Sequence, residues 1–466
     1  MAPRRVAGRG GRRDGTRMSV VTPLADEGLG NTSWVIDLGD RRVAVVDPGR
    51  HPGPFLAEAE RRGARVAFSV ETHLHADFVT GSRELASYGT TVVAPAAGGL
   101  EWPHRPMNDG EVVDLGGLSL RALATPGHTP EHLAYLLRDG DRPIGVFTGG
   151  SLLVGAVART DLIAPDQTEE LARALWRSLH DQLLTLPDDL AVYPTHGAGS
   201  FCSAPAGDRR WTTIGDERRL NPLLAAPDED SFVKALLDGL GSYPHYFHDL
   251  REVNRAGPTV LGIPQPGLPV LSLDAFRGLL DSGAAVIDTR RVRAWAAGHI
   301  PGVLAIPLRS QFASWLGWLV ERDTPLAFVV GADQDRAELV RQCHQIGYDR
   351  IVGELAGGMT AWTAAGLPAQ TTALTDARHA GPGVLDVRQD REHADGHIPG
   401  VTHVELGRLP EVADRLDDVE AVMCAHGERA ATAASILERA DRTGVAVTVG
   451  GPADWAAAHH EPLATG

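Results

Sequence analysis

Two segments of this chain carry the same pattern about a hundred residues apart. Residues 284–308 read "AAVIDTRRVRAWAAGHIPGVLAIPL" and residues 382–406 read "PGVLDVRQDREHADGHIPGVTHVEL". Each runs from an apolar stretch into Asp-x-Arg (Asp288 with Arg290, Asp386 with Arg388). A short helical stretch, Gly-His-Ile-Pro-Gly-Val and a second apolar run follow. Further on, "AGGMTAWTAAGLP" is answered by "VGGPADWAAAHHEP". A repeat unit of about a hundred residues has the size of a domain, so the second half is expected to fold as two successive α/β units, at 270–369 and 370–466.

Upstream the pattern changes. "TSWVIDL", "RVAVVDPG", "RVAFSVETH", "TTVVAP", "LSLRALATPGHT", "GVFTGG" and "LAVYPTHG" are short β-rich runs, several ending in loops that carry His or Asp. Between the last two, Leu171, Leu175, Leu179 and Leu183 recur every four residues, the signature of an amphipathic helix. Strands whose ends converge in polar loops, with helices interleaved, indicate a layered α/β domain over 18–257, closed by a helical extension containing "DSFVKALLDGL". Pro and Gly density marks 258–269 as a linker.

A length of 466 residues exceeds what a single core usually supports. With 43% hydrophobic and 22% charged residues the chain reads as soluble and globular, and no apolar run reaches the length of a membrane span. A formal net charge of -16 argues against nucleic acid as a partner. Cys202, Cys343 and Cys424 are too few and too scattered for a disulfide framework, so a reducing cytoplasm is expected. Residues 1–17 are Arg- and Gly-rich without apolar periodicity, which reads as a disordered basic tail or as a start site placed upstream of Met18. Whether the subunits form a homo-oligomer stays open.

The chemistry-bearing residues of the first half are histidines. In "SVETHLHADFVTGS", His73 and His75 are two apart on an extended segment and so face one side, with Asp77 close by. His128 follows the Pro-Gly turn of "ATPGHTPEHLAYLL", and His196 sits in the turn of "YPTHGAGSFC". Several strand-end imidazoles suit a zinc or iron ion. Phe78 stands where the pattern H-x-H-x-D-H has its last histidine, which argues against a second metal. In the second half, the loop "VMCAHGERAATAASIL" places Cys424 between an apolar strand and an Ala-rich helix. Backbone N–H groups and the helix N-terminus there favour a thiolate or a terminal persulfide sulfur.

Together, the Asp-x-Arg starts, both "GHIPGV" runs and the Cys424 loop resemble the rhodanese sulfurtransferases over 271–466. That resemblance makes Cys424 the nucleophile and Ala425, His426, Gly427, Glu428 and Arg429 its persulfide loop, with Arg429 adding charge at the rim. Aligning Arg336 with Arg429 puts Gly331 at the nucleophile position of the first copy, which therefore lacks a sulfur carrier; Cys343 reads as core. Residues 20–196, with "VVDPG", "ETHLHADFVTG", "TPGHTPEHLAYLL" and "HGAGSFCS", resemble the metallo-β-lactamase superfamily and, within it, the persulfide dioxygenases. The fold implied is an N-terminal αββα metallo-β-lactamase sandwich followed by two rhodanese-like α/β domains with parallel central sheets.

The activity implied is oxidation of glutathione persulfide, or a similar thiol persulfide, to sulfite with O2 at one Fe(II), beside sulfur transfer from thiosulfate through Cys424. His73 and His128 match the family's iron ligands, but Gly150 replaces its carboxylate ligand. This leaves a His73, His75 and His128 site as the expectation, with Asp77 and His196 as a secondary metal or substrate site and Asp161 as a remoter source of a carboxylate. Cys202 is a candidate sulfur relay. Two alternatives stand beside this: a zinc thioester hydrolase of the glyoxalase II type, and a metal-free scaffold that presents only the Cys424 sulfurtransferase.

Overall fold

The computed structural model describes residues 20–197, 199–202 and 209–466; the tail expected over 1–17, and Met18, lie outside them. In the first domain, period-2 alternation builds two facing sheets. One sheet runs Val21–Asp26, Asn31–Asp37, Arg42–Val46, Arg65–Val70, Thr91–Pro95, Arg105–Met107. Its first three strands pair antiparallel and the rest parallel. The other runs Thr212–Thr213, Ala191–Pro194, Arg142–Gly149, Leu133–Asp139, Leu118–Ala124, Val112–Asp114.

Along these strands alternate residues divide between two interfaces. Trp34, Ile36, Ala44 and Val46 face Leu120, Tyr135, Leu137 and Phe147 across the sandwich. Val35, Val43 and Val45 point the other way, onto Phe55 and Ala59 of the helix Gly53–Arg61. On the far side Ala134, Leu136 and Val146 pack on Ala172, Leu175 and Leu179 of the helix Thr168–Asp181. The result is a helix–sheet–sheet–helix stack, as expected for elements with one or two apolar faces.

Each repeat unit forms a five-stranded, wholly parallel sheet. The orders are Val270–Leu271, Ile351–Leu355, Leu326–Val329, Ala285–Asp288, Leu304–Ala305 and Leu374–Asp376, Ala446–Val449, Ala421–Met423, Val384–Asp386, Thr402–His403. Their sequential positions match strand for strand. The shared Asp-x-Arg is a clamp inside each unit. Arg290 binds Asp288 and donates to the Gly298 carbonyl (2.8 Å), and Arg388 binds Asp386 and donates to that of Gly396 (2.8 Å), in each case just before the His-Ile-Pro-Gly turn. No described helix is long and apolar enough to cross a membrane.

The three domains are not separate bodies. One continuous apolar cluster includes Phe78, Val79 and Leu153 of the first domain, Trp315, Trp318 and Leu339 of the second, and Leu406, Val422 and Cys424 of the third. Polar contacts reinforce the first junction. The buried Arg50 donates to both Asp349 carboxylate oxygens (2.5 and 2.8 Å) and to the His344 carbonyl (2.7 Å). The neighbouring His51 ring donates from Nε2 to the Arg341 carbonyl (3.0 Å).

Burial pushes the His51 and His344 pKa values down to about 4, from an ordinary value of 6.5. Between those values the unfolded chain takes up protons that the folded junction refuses, so stability is full above pH 6.5 and falls as the pH drops toward 4. The urea unfolding midpoint should therefore fall more steeply over that window in the wild type than in His51→Gln.

Candidate functional site

The first site is organised by Asp47. It sits in the turn after the strand Arg42–Val46, fully buried and with a positive φ of 48°. Its two oxygens accept the Thr72 backbone N–H and hydroxyl (2.7 Å each), and the Thr195 hydroxyl as well. Thr72 belongs to the loop that carries His73, and Thr195 precedes His196 on the opposite sheet, so one carboxylate ties together loops from both sheets.

Hydrogen-bond bookkeeping then fixes three imidazole tautomers. The Thr72 hydroxyl proton is committed to Asp47, so His73 Nδ1, 2.8 Å from that oxygen, must be the donor. His128 Nδ1 lies 2.7 Å from the Arg159 carbonyl and can only donate to it. His196 Nδ1 faces the Asp77 carboxylate at 3.1 Å and the Asn31 side-chain oxygen at 3.3 Å, which leaves it the proton as well. All three rings thus turn Nε2 inward. Ligand atoms of His73, His128 and His196 lie within 4.8 Å of one another, and the His73 and His196 Nε2 atoms are 3.4 Å apart. Two nitrogens bound to one tetrahedral ion at about 2.0–2.1 Å would be spaced about 3.3 Å apart.

Burial, followed by the neighbouring imidazoles, holds the His73 pKa well below its usual value, and burial and His196 push that of His128 down to about 3. Both rings are therefore neutral and carry lone pairs. At His196 burial opposes protonation, but Cys202 and Asp77 beside it together lift the pKa well above the usual value. The same negative surroundings favour a cation at its Nε2. The residues fit a metal ion, held by three histidines, with Asp77 and the Arg159 carbonyl orienting two of them from behind.

This differs from the set expected from sequence. His75 shares no group with His73 and His128 together, but its ligand atoms converge with those of Asp47 and His73 and with those of Asp77 and His196; its Nε2 lies between Asp47 (3.3 Å) and Glu71 (3.2 Å). Burial works against its charge, but those two carboxylates raise its pKa to about 9, so it is an imidazolium in a carboxylate clamp. Phe78 stacks on that ring with centroids 4.2 Å apart, in the place of a second-metal histidine. His196, expected with Asp77 in a secondary site, converges with Asp77 and His75 and also with His73 and His128. Asp161 is bound by Arg159 (2.7 Å), away from the histidines. At Gly150 a side chain would run against the site, since an added Cβ would lie 2.4 Å from the His128 ring. Cys202 is 1% exposed beside His196, and burial raises its thiol pKa.

Residues far away in sequence position these loops. Asn254 donates to the His75 and Phe78 carbonyls (2.8 and 2.9 Å), and the Tyr246 hydroxyl donates to the Asp77 carbonyl (3.0 Å). His128 is aimed by the Pro126-Gly127 turn. Gly127 has a φ of 151° and lies so close to Leu175 that a Cβ would come within 2.4 Å of it.

The second site is the Cys424 loop, between the strand Ala421–Met423 and the helix Glu428–Arg439. Gly427, at a left-handed φ of 111°, turns its N–H onto Cys424 Sγ at 3.0 Å. Of the several N–H donors expected, this is the one aligned with the sulfur among the described residues. Arg429, expected to add charge at the rim, is instead paired bidentately with Glu392 (2.5 and 2.8 Å). In the first copy, Gln334 stands at the position of Gly427. Its side-chain oxygen accepts the Gly331 N–H (2.7 Å) and its amide donates to the Thr289 carbonyl (2.6 Å), so the sulfur's place is filled by a carboxamide. Cys343 is fully buried and its thiol pKa is pushed far up by that burial.

Similarity to known proteins agrees with this geometry. Residues 26–196 match the model of the metallo-beta-lactamase superfamily, and 272–365 and 370–458 each match the rhodanese-like domain. The mitochondrial persulfide dioxygenase of Homo sapiens is 32% identical over 206 residues, which cover 43% of this chain and 74% of that protein. The chain belongs to the persulfide dioxygenase family of metallo-β-lactamase proteins. Two rhodanese-like domains follow its family domain. A hydroxyacylglutathione hydrolase of Rhodopseudomonas palustris is 30% identical over 249 residues, 48% of this chain and 93% of that protein. The solved metallo-beta-lactamase from Staphylococcus aureus COL covers 72% of this chain and 98% of its own, with 25% identity and a TM-score of 0.65. Within this persulfide dioxygenase family member, position 150 is a glycine and offers no side-chain carboxylate to the three histidines.

The purified protein should bind about one divalent ion per chain. His196→Ala should lower that stoichiometry to near zero and abolish the visible absorption of the cobalt-loaded protein, while His75→Gln should retain the metal. In a Cys424→Ser background, Gly331→Cys should restore no sulfur transfer, because Gln334 still occupies the loop.

Proposed function

We propose that this chain is a sulfur-handling enzyme with two sites. In this reading Cys424 accepts and donates a sulfane sulfur as a covalent persulfide, with thiosulfate as a donor. His73, His128 and His196 hold a single Fe(II) at which glutathione persulfide or a related thiol persulfide is oxidised with O2 to sulfite. The observation that carries the reading is the Gly427 N–H set 3.0 Å from Cys424 Sγ at the start of a helix, because that donor stabilises the charged form of a thiol or a terminal persulfide sulfur. Membership of the persulfide dioxygenase family and the three converging Nε2 atoms support the second site.

Iron bound there would supply one-electron chemistry with O2. The protein's own contribution is to hold three neutral nitrogens in fixed tautomers, through Thr72, Arg159 and Asp77. Their burial, at 1% exposure each, excludes bulk water. Three neutral ligands leave more positive charge on the ion than a carboxylate-containing set, which disfavours the ferric state.

A second reading has a specific observation behind it. Three histidines are also a donor set of catalytic zinc, and a zinc ion there would suit thioester hydrolysis. Elemental analysis separates the two metals, and persulfide-dependent oxygen uptake separates the two reactions.

Thiosulfate:cyanide sulfur transfer should fall to background in Cys424→Ser and persist in Cys343→Ser. Retention in the former would remove the sulfurtransferase assignment.

A further inference from the structure

The copy without a sulfur carrier reaches toward the copy that has one. Arg309 lies in the turn between the strand Leu304–Ala305 and the helix Phe312–Leu319 of the first rhodanese-like domain. Its carbonyl accepts the Phe312 N–H (3.1 Å) and the Gln342 amide (2.9 Å), so the turn is fixed. Its guanidinium comes 3.9 Å from the carboxylate of Glu428, the residue that opens the helix behind Cys424. That is an ion pair without a hydrogen bond.

The other cations of this region are committed. Arg429 is held bidentately by Glu392, and Arg388 by Asp386. Among the described residues the Arg309 guanidinium makes no hydrogen bond, so its donors are free for an oxyanion. Exposure gives the order of approach. Cys424 is 1% exposed and the Arg429 side chain 10%, whereas the Arg309 and Glu428 side chains are each 31% exposed. Burial lowers the Arg309 pKa, and among the charges that act on it are Glu428, Arg429 and the Cys424 sulfur.

We propose that Arg309, supplied by the cysteine-less copy, is the anion-recognition residue of the Cys424 site and holds the sulfonate end of a thiosulfate-type donor. This rests on the sulfurtransferase reading of Cys424. A guanidinium fork matches an oxyanion by geometry and by charge. With the sulfonate held there, the Cys424 thiolate attacks the sulfane sulfur. A new S–S bond forms, the donor's own S–S bond breaks, and its electron pair leaves with sulfite. The enzyme keeps a persulfide anion, and neither an external oxidant nor a proton is consumed. Glu428 competes with the donor for Arg309.

The test is steady-state thiosulfate:cyanide transfer by the full chain, together with calorimetric thiosulfate binding to the Cys424→Ser protein. Arg309→Gln should raise the thiosulfate KM by about 10-fold or more with kcat changed far less, Arg309→Lys should recover part of the loss, and Glu428→Gln should lower KM. Adding Arg309→Gln to the Cys424→Ser protein should weaken binding to a similar degree. An unchanged KM and unchanged binding in the Gln variant, in an otherwise active enzyme, overturn the proposal and leave the sulfurtransferase reading intact. If the wild type shows no transfer, that reading fails. Binding then decides for Arg309: loss of binding on adding Arg309→Gln supports the anion site, and no binding even with Arg309 present overturns it.

Discussion

The carboxylate of Asp47 is the constraint on which the first site depends. It is buried, held in a left-handed backbone conformation, and accepts from Thr72 and Thr195 on loops from two different sheets. An unpaired buried carboxylate is costly, so the donors around it are not free to rearrange. Through Thr72 it fixes which nitrogen of His73 carries the proton. With Glu71, its charge favours the protonated form of His75, whose ring lies 4.2 Å from that of His73. Without that anion the tautomer of His73 would not be determined.

The second constraint is the common core. The helix Glu428–Arg439, which begins behind Cys424, is gripped by the first repeat unit: Glu438 meets His299 at 2.9 Å, and the Ser435 hydroxyl accepts the Ala305 N–H at 3.0 Å. Trp315 and Trp318 of that unit lie in the same apolar cluster as Phe78 and Cys202 of the first domain. The repeat unit that has lost its cysteine thus touches both candidate sites. Its loss is structural as well as chemical, since Gln334 fills the loop that Gly427 leaves open in the other copy.

Much of the fold could be read from the chain. The paired Asp-x-Arg and Gly-His-Ile-Pro-Gly segments are local motifs whose side chains bind backbone within a few residues, so their pattern survives in sequence. The alternation of Trp34, Val35 and Ile36 likewise reports two faces of one strand. The strand Leu133–Asp139 was not legible, because both its faces are buried and an apolar run of this kind lacks alternation. Edge strands such as Val21–Asp26 carry too few apolar residues to stand out.

Of the sites, the sequence determined the residue types: a cysteine before a glycine at a helix start, histidines at strand ends, a phenylalanine at the last position of the H-x-H-x-D-H pattern and a glycine at position 150. Spacing alone also suggested that His73 and His75 act together, because side chains two apart share a face. Only the tertiary structure supplied their partners. It brought Glu71 and Asp47 around His75, swung His196 against His73 from the other sheet, and paired Arg429 with Glu392. Which nitrogen holds a proton and which charge is already neutralised depend on Asp47, Asp77, Arg159 and Glu392, partners tens to more than a hundred residues away from the groups they act on, and a local pattern carries no record of them.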